Sequence, residues 1–187
     1  MRLLFALFAS LSLICGAGAK EEAPPVAAAP AQRDGLVLNG EATRSVWGFE
    51  VYKIRLFLPE VIRDAEQIMG AKSDAKRIEI TMVRSVEEEQ FSSTVQENID
   101  NNFTDAEKEK FARQLSEFLG CFNNGADLEP GNVITIDYAP SEGTVVKLDG
   151  RTLDTIPGAD FYHALLRLWI GKPLQKSIKD GLVGAAG

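Results

Sequence analysis

Apolar and polar positions alternate along several stretches of this chain. Tyr52, Ile54, Leu56 and Leu58 fall on one side, with Lys53 and Arg55 on the other. Ile78, Ile80 and Met82 oppose Arg77, Glu79 and Thr81 in the same way. A period of two is that of a strand with one face in a core and the other in water, so both stretches predict half-buried strands. Residues 133–138 and 143–148 are two further strand candidates, joined by the turn-forming Pro140-Ser141-Glu142. Asp149-Gly150 supplies the positive φ angles of a two-residue hairpin that returns the chain through 151–156. Alternating strands linked by tight turns predict an antiparallel sheet.

Other stretches repeat at the helical period. Thr104-Asp105-Ala106-Glu107 is a capping-box sequence, in which the Thr hydroxyl and the Glu carboxylate satisfy free backbone N–H groups. Phe111, Leu115, Phe118, Leu119 and Phe122 then recur at three- and four-residue steps, predicting one helix from the box onward. Residues 59–69 predict a short helix with Pro59 in its first turn and Gly70 at its end. Residues 91–99, 161–169 and 177–182 predict three more. Strands and helices are mixed without a regular βαβ rhythm. The class expected is α+β: an antiparallel β-sheet carrying a layer of α-helices on its apolar face.

The two ends of the pattern differ from the rest. Residues 1–19 carry one charge, Arg2, then an apolar run from Leu3 to Ile14, then Ala17-Gly18-Ala19. At 1.5 Å per residue such a run is too short to span about 30 Å of hydrocarbon. It reads as a cleavable secretory signal, cut after Ala19. Lipid attachment at Cys15 is the alternative, against which stands the bulky Ile14 before it. Residues 20–35 are rich in Ala and Pro without either period and read as a linker. Residues 36–187 form the expected single domain, with no integral membrane segment once the signal is removed.

Composition narrows the function. The 187 residues carry 20 Lys plus Arg against 27 Asp plus Glu, a formal charge of −7. A chain this acidic lacks the basic field that condenses on phosphate backbones, so no nucleic-acid partner is expected. Two cysteines and one histidine cannot assemble a four-ligand Cys/His zinc site, and no metal or other cofactor is expected. Cys121 sits among Leu119 and Phe122 and reads as a buried small hydrophobe. His163 lies among Phe161, Leu165 and Leu166 with no Ser or Cys partner in a recognisable spacing; a structural histidine is the simpler reading. Glu87-Glu88-Glu89 reads as a solvated helix start. Trp47-Gly48 reads as a turn with an anchored aromatic, and Trp169 as helix core. There is no Gly-rich phosphate loop and no G-x-S-x-G elbow.

Several phrases in fixed order carry a resemblance. Gly40-Glu41-Ala42-Thr43-Arg44 followed by Val51-Tyr52-Lys53-Ile54-Arg55-Leu56-Phe57-Leu58 resembles the opening strands of the chalcone isomerase family. QFSSTVQENI at 90–99 resembles a helix of that family. Gly158-Ala159-Asp160-Phe161, Leu168-Trp169-Ile170-Gly171-Lys172-Pro173 and Ser177-Ile178-Lys179 resemble its closing helices. The similarity is nearest to secreted bacterial members, which implies a periplasmic location.

In the plant enzymes of the family a phenolate attacks an enone within the same molecule. An arginine holds the phenolate, while a tyrosine and a threonine organise water near the ketone oxygen. The resemblance places Arg44 at the arginine position and Tyr52 at the threonine position. Phe91 falls at the tyrosine position, and Asn98 at a polar position of the pocket. A phenyl ring cannot donate the hydrogen bond that a phenol gives. Loss of such a preorganised donor costs about 10²–10³ in rate. Arg44 with Tyr52 instead looks like the non-enzymatic fatty-acid-binding relatives, where the pair holds a carboxylate. A guanidinium fork fits a carboxylate or phenolate at two points. The expectation is a non-catalytic binder of a small apolar ligand, fatty-acid-like or phenolic, with Arg44, Tyr52, Phe91 and Asn98 as ligand-binding residues. The alternative is an intramolecular lyase of the chalcone isomerase type, with Arg44 catalytic. The plainer reading of Arg44 is a surface residue paired with Glu41 or Glu50, and of Tyr52 a strand residue with its hydroxyl at the rim.

Overall fold

A computed structural model describes residues 32–72, 74–123 and 125–184. The expected signal at 1–19 and most of the linker at 20–35 lie outside them. Seven strands form one sheet in chain order, each antiparallel to the next: β1 Gln32–Arg33, β2 Leu36–Val46, β3 Phe49–Leu58, β4 Lys76–Met82, β5 Val133–Ala139, β6 Gly143–Leu148 and β7 Arg151–Ile156. The sheet starts at Gln32, inside the stretch read as linker, because Asp34-Gly35 turns with positive φ and pairs Arg33 with Leu36. Six helices accompany it: α1 Ala65–Gly70, α2 Glu88–Asn102, α3 Asp105–Lys110, α4 Ala112–Gly120, α5 Ala159–Ile170 and α6 Lys176–Val183.

Two expected helices needed correction. The chain does not turn helical at Pro59; α1 starts after Asp64, whose carboxylate accepts from Gln67 N at 2.7 Å and caps the first turn. The capping box at Thr104 and Glu107 is formed, but the helix after it breaks at Phe111, whose ring must turn into the core against Phe103 and Phe161. Beyond the break, Leu115, Phe118 and Phe122 are buried on one face.

The helix-bearing face of the sheet supplies Ile54, Leu56, Leu58, Ile78, Ile80, Met82, Ile134 and Ile136 to the core. Helix α5 is buried on nearly its whole circumference, as its continuous apolar sequence requires. His163 is buried within it, its Nδ1 2.7 Å from the Ala159 carbonyl oxygen; burial holds its pKa below the usual imidazole range. Lys76 shares the parity of Ile78 and Ile80, so its stem enters the core while its ammonium donates to the carbonyls of Ala71 and Asp74.

The opposite face carries charge. Arg55 meets Glu79 at 3.5 Å, and Arg77 holds Asp137 through Nε at 2.5 Å and Nη2 at 3.1 Å. Lys147 reaches the same Asp137 at 3.2 Å, and Asp34 of the first turn reaches Arg77 at 2.9 Å. Cys121 is free and buried, as expected. Burial, with Asp154 and Glu117 nearby, pushes its thiol up to about 11. Thiolate is the reactive form, so at pH 8 iodoacetamide should alkylate Cys121 about 100-fold more slowly in the native chain than in urea. Mass spectrometry of the Cys121 peptide reads this, and equal rates would show that the site is open.

Candidate functional site

A cavity of about 630 Å³ lies between the far end of the β2–β3 hairpin, the loop after β4, helix α2 and the last turn of α5. Its volume is that of a small-molecule site. Arg44, Tyr52, Phe91 and Asn98 all line it. Strand register accounts for the first two: Arg44 lies directly opposite Tyr52, which in turn lies opposite Met82. The register slips next to Arg44, so that Ser45 pairs with Glu50 and leaves Val51 as an extra residue on β3. Strict alternation would send Val51 and Tyr52 to opposite faces; the bulge lets both reach the cavity wall.

Arg44 is half-buried and does not pair with Glu41 or Glu50. Glu41 is taken by Arg55 at 3.2 Å, and among the described residues no carboxylate lies within ion-pair distance of Arg44. Its Nη1 donates instead to Gln175 Oε1 at 3.2 Å. Gln175 sits just before α6; the same oxygen accepts from Ser45 N at 3.0 Å, and its amide donates to the Thr43 carbonyl at 3.3 Å. One side chain therefore clamps the strand and the arginine together. The rest of the guanidinium fork stays available on the cavity side.

Tyr52 and Trp169 both line the cavity. Burial raises the Tyr52 pKa, against the smaller opposing pull of Arg44. The group therefore stays a phenol at neutral pH. A phenol beside Arg44 can donate its proton to an anion held there.

Helix α2 supplies the facing wall with Gln90, Phe91, Thr94, Val95 and Asn98, a set at three- and four-residue steps and so on one side. Phe91 packs edge-on against Phe122, ring centres 5.1 Å apart, and presents only carbon. Asn98 Nδ2 donates to the Leu168 carbonyl at 2.9 Å, and its oxygen accepts from Asn102 at 3.3 Å. Its amide ties α2 to α5 at the wall of the cavity. Thr94 spends its hydroxyl on the Gln90 carbonyl at 2.8 Å. The polar groups still open on this wall are few.

Three contributors had gone unread. Gln175 stands in a short loop where nothing in the sequence marks it. Arg84 follows β4, lines the cavity and lies 4.8 Å over the Phe49 ring. Trp169 is helix core as expected, yet its indole also faces the site. Trp47 corrects the expectation of an anchored ring: it is 94% exposed. Among the described residues no three His, Cys, Asp or Glu side chains are grouped as a metal site. No described helix is long and apolar enough to cross a membrane.

A family model described as chalcone isomerase-like matches residues 21–184. No curated protein matches the chain by sequence. Among solved structures, it is similar to a fatty-acid binding protein of Arabidopsis thaliana, with a TM-score of 0.59 at 16% identity. That alignment covers 82% of this chain and 89% of the other. At such identity the likeness is one of fold.

Proposed function

Since the chain belongs to the chalcone isomerase-like family, we propose that it binds a small amphiphile with an apolar body and an anionic head, without turning it over. The observation that carries this is Arg44: a cation with no carboxylate partner among the described residues, fixed by Gln175 on the wall of an otherwise largely apolar cavity. In this reading the guanidinium and the Tyr52 hydroxyl take the head, and Val51, Phe91, Val95 and Leu168 take the body. The fatty-acid binding neighbour of the same fold supports a carboxylate head. An isomerase of the chalcone type has weaker support. Phe91 offers no hydrogen-bond donor at the position where the resemblance expects a tyrosine. The apolar segment ending at Ala19 supports export to the periplasm as the place of action.

Calorimetric titration tests the reading with ligands that differ only in the head. Decanoate should bind more tightly than decanol by about tenfold, the effect of one charge-assisted hydrogen bond. A chalcone should show no cyclisation above the spontaneous rate. Absence of saturable binding of either amphiphile would remove the proposal.

A further inference from the structure

The tip of the β2–β3 hairpin is an unusual piece of surface. Val46 pairs with Phe49 across a two-residue turn, Trp47-Gly48, with φ of 53° and 83°. Both central residues thus lie in the left-handed region, where Asn-Gly is the favoured pair and a bulky side chain is strained. Trp47 at this turn is 94% exposed, beside Phe49 at 59% and Val46 at 38%. An apolar cluster that protrudes from a strained turn marks a contact surface. Val46, Trp47 and Phe49 also line the cavity, so the cluster forms its lip. Cations stand at that lip. Arg84 covers the Phe49 ring, Arg44 lies on the same lining, and Glu87 is the one acid there among the described residues. The lining carries two arginines against one glutamate, and Arg84 is the one that stands exposed at the tip.

We infer that this tip docks on a phospholipid bilayer, with Trp47 and Phe49 entering the interface and Arg84 beside them meeting lipid phosphate, so that an amphiphile passes between bilayer and cavity. Trp is the side chain most at home at that depth, and guanidinium pairs with phosphate at two points. Contour and local charge both favour this occupant: an anionic headgroup layer over an apolar interior complements the exposed Arg84 guanidinium beside a greasy tip. The transfer step rests on the amphiphile-binding reading; the docking does not.

The chain has two tryptophans, and Trp169 is only 7% exposed, so Trp47 is a built-in probe. Protein starting at Lys20, as left by the expected cleavage, is mixed with vesicles of phosphatidylcholine and phosphatidylglycerol carrying brominated acyl chains, and tryptophan quenching is followed. Trp47 emission should shift to the blue and be quenched; Trp47→Phe, with only Trp169 left, should show little quenching. Phe49→Ser should weaken the vesicle affinity read by Trp47 about tenfold. Trp47→Asn suits the turn better, so it should raise the melting temperature while reducing vesicle co-sedimentation at least tenfold. Unquenched Trp47 in the presence of bound vesicles overturns the inference. Vesicle binding unchanged in Trp47→Asn and Phe49→Ser does so too. A concentration-dependent dimer that Trp47→Asn abolishes would assign the tip to a second copy and also overturn it. Decanoate titration without vesicles reports the cavity separately. Quenching of Trp47 with no decanoate binding would sustain the docking and remove the reading of the cavity.

Discussion

Replacing Arg44 with Ala is expected to weaken decanoate binding by about 10- to 100-fold and to leave decanol almost unchanged. A hydrogen bond to a charged group is worth about 1.5–3 kcal/mol, and each 1.4 kcal/mol is a factor of about ten in affinity. The cavity wall remains in the variant, since Val51, Phe91, Val95 and Leu168 belong to other positions on β3, α2 and α5. Arg44→Lys separates charge from shape: it keeps the cation and loses the planar fork, so an intermediate affinity is expected. Loss of the Gln175 bond is a side effect of either change. It acts on both ligands alike, so the difference between decanoate and decanol is the quantity to read. Equal weakening of both would mean that Arg44 supports the wall and does not hold a head.

Gly181→Ala is expected to destabilise the fold by about 2–3 kcal/mol, although glycine to alanine inside a helix ordinarily stabilises by up to about 1 kcal/mol. The reversal comes from how closely α6 lies on β2. A Cβ at Gly181 would run into the Glu41 carbonyl oxygen and sit 2.9 Å from the Ala42 Cβ. Gly40 on the strand faces the carbonyls of Gly181 and Leu182 with equally little room. Two glycines thus let backbone meet backbone, and Asn39 seals the contact by donating to the Leu182 carbonyl at 2.8 Å and accepting from Ile62 N at 2.7 Å. For a domain of this size the melting temperature should fall by roughly 4–12 °C. Gly120→Ala, at the end of α4 with open space around it, is the control and should change stability by less than about 0.5 kcal/mol. A neutral Gly181→Ala would show that α6 can shift without cost.

Strands with one wet face announced themselves. The parity of Tyr52 to Leu58 and of Ile78 to Met82 is the parity observed for the core side, while on the other side Phe57 and Glu79 are buried where water was expected. The turn at Asp149-Gly150 formed where expected, since its positive φ angles need those residues. Helix ends were harder. The start of α1 depends on the Asp64 cap and not on Pro59, and the break at Phe111 answers a packing demand from Phe103 and Phe161, residues distant or on separate elements.

The site divides in the same way. Arg44 and Tyr52 were singled out by family likeness and share a face through their register. Phe91 and Asn98 reach the same cavity through the period of α2. Gln175 is more than 100 residues from Arg44 along the chain, and only the docking of α6 on β2 brings it there. Val51 reaches the wall by a bulge, which no alternation rule foresees. Trp47 was misjudged because tryptophan is usually covered; at this turn it stands in water.

The charged face of the sheet has a consequence for the protein in crowded company. A sheet face of aliphatic side chains would invite a second sheet to stack upon it and grow into insoluble assemblies. Here Arg55 with Glu79, and Arg77 with Asp137 and Lys147, set plus beside minus from strand to strand. An identical neighbour sliding over that surface would have to strip water from ions already satisfied sideways, and would gain little greasy contact in return. Paired ions thus keep copies of the chain apart on the face turned away from the helices.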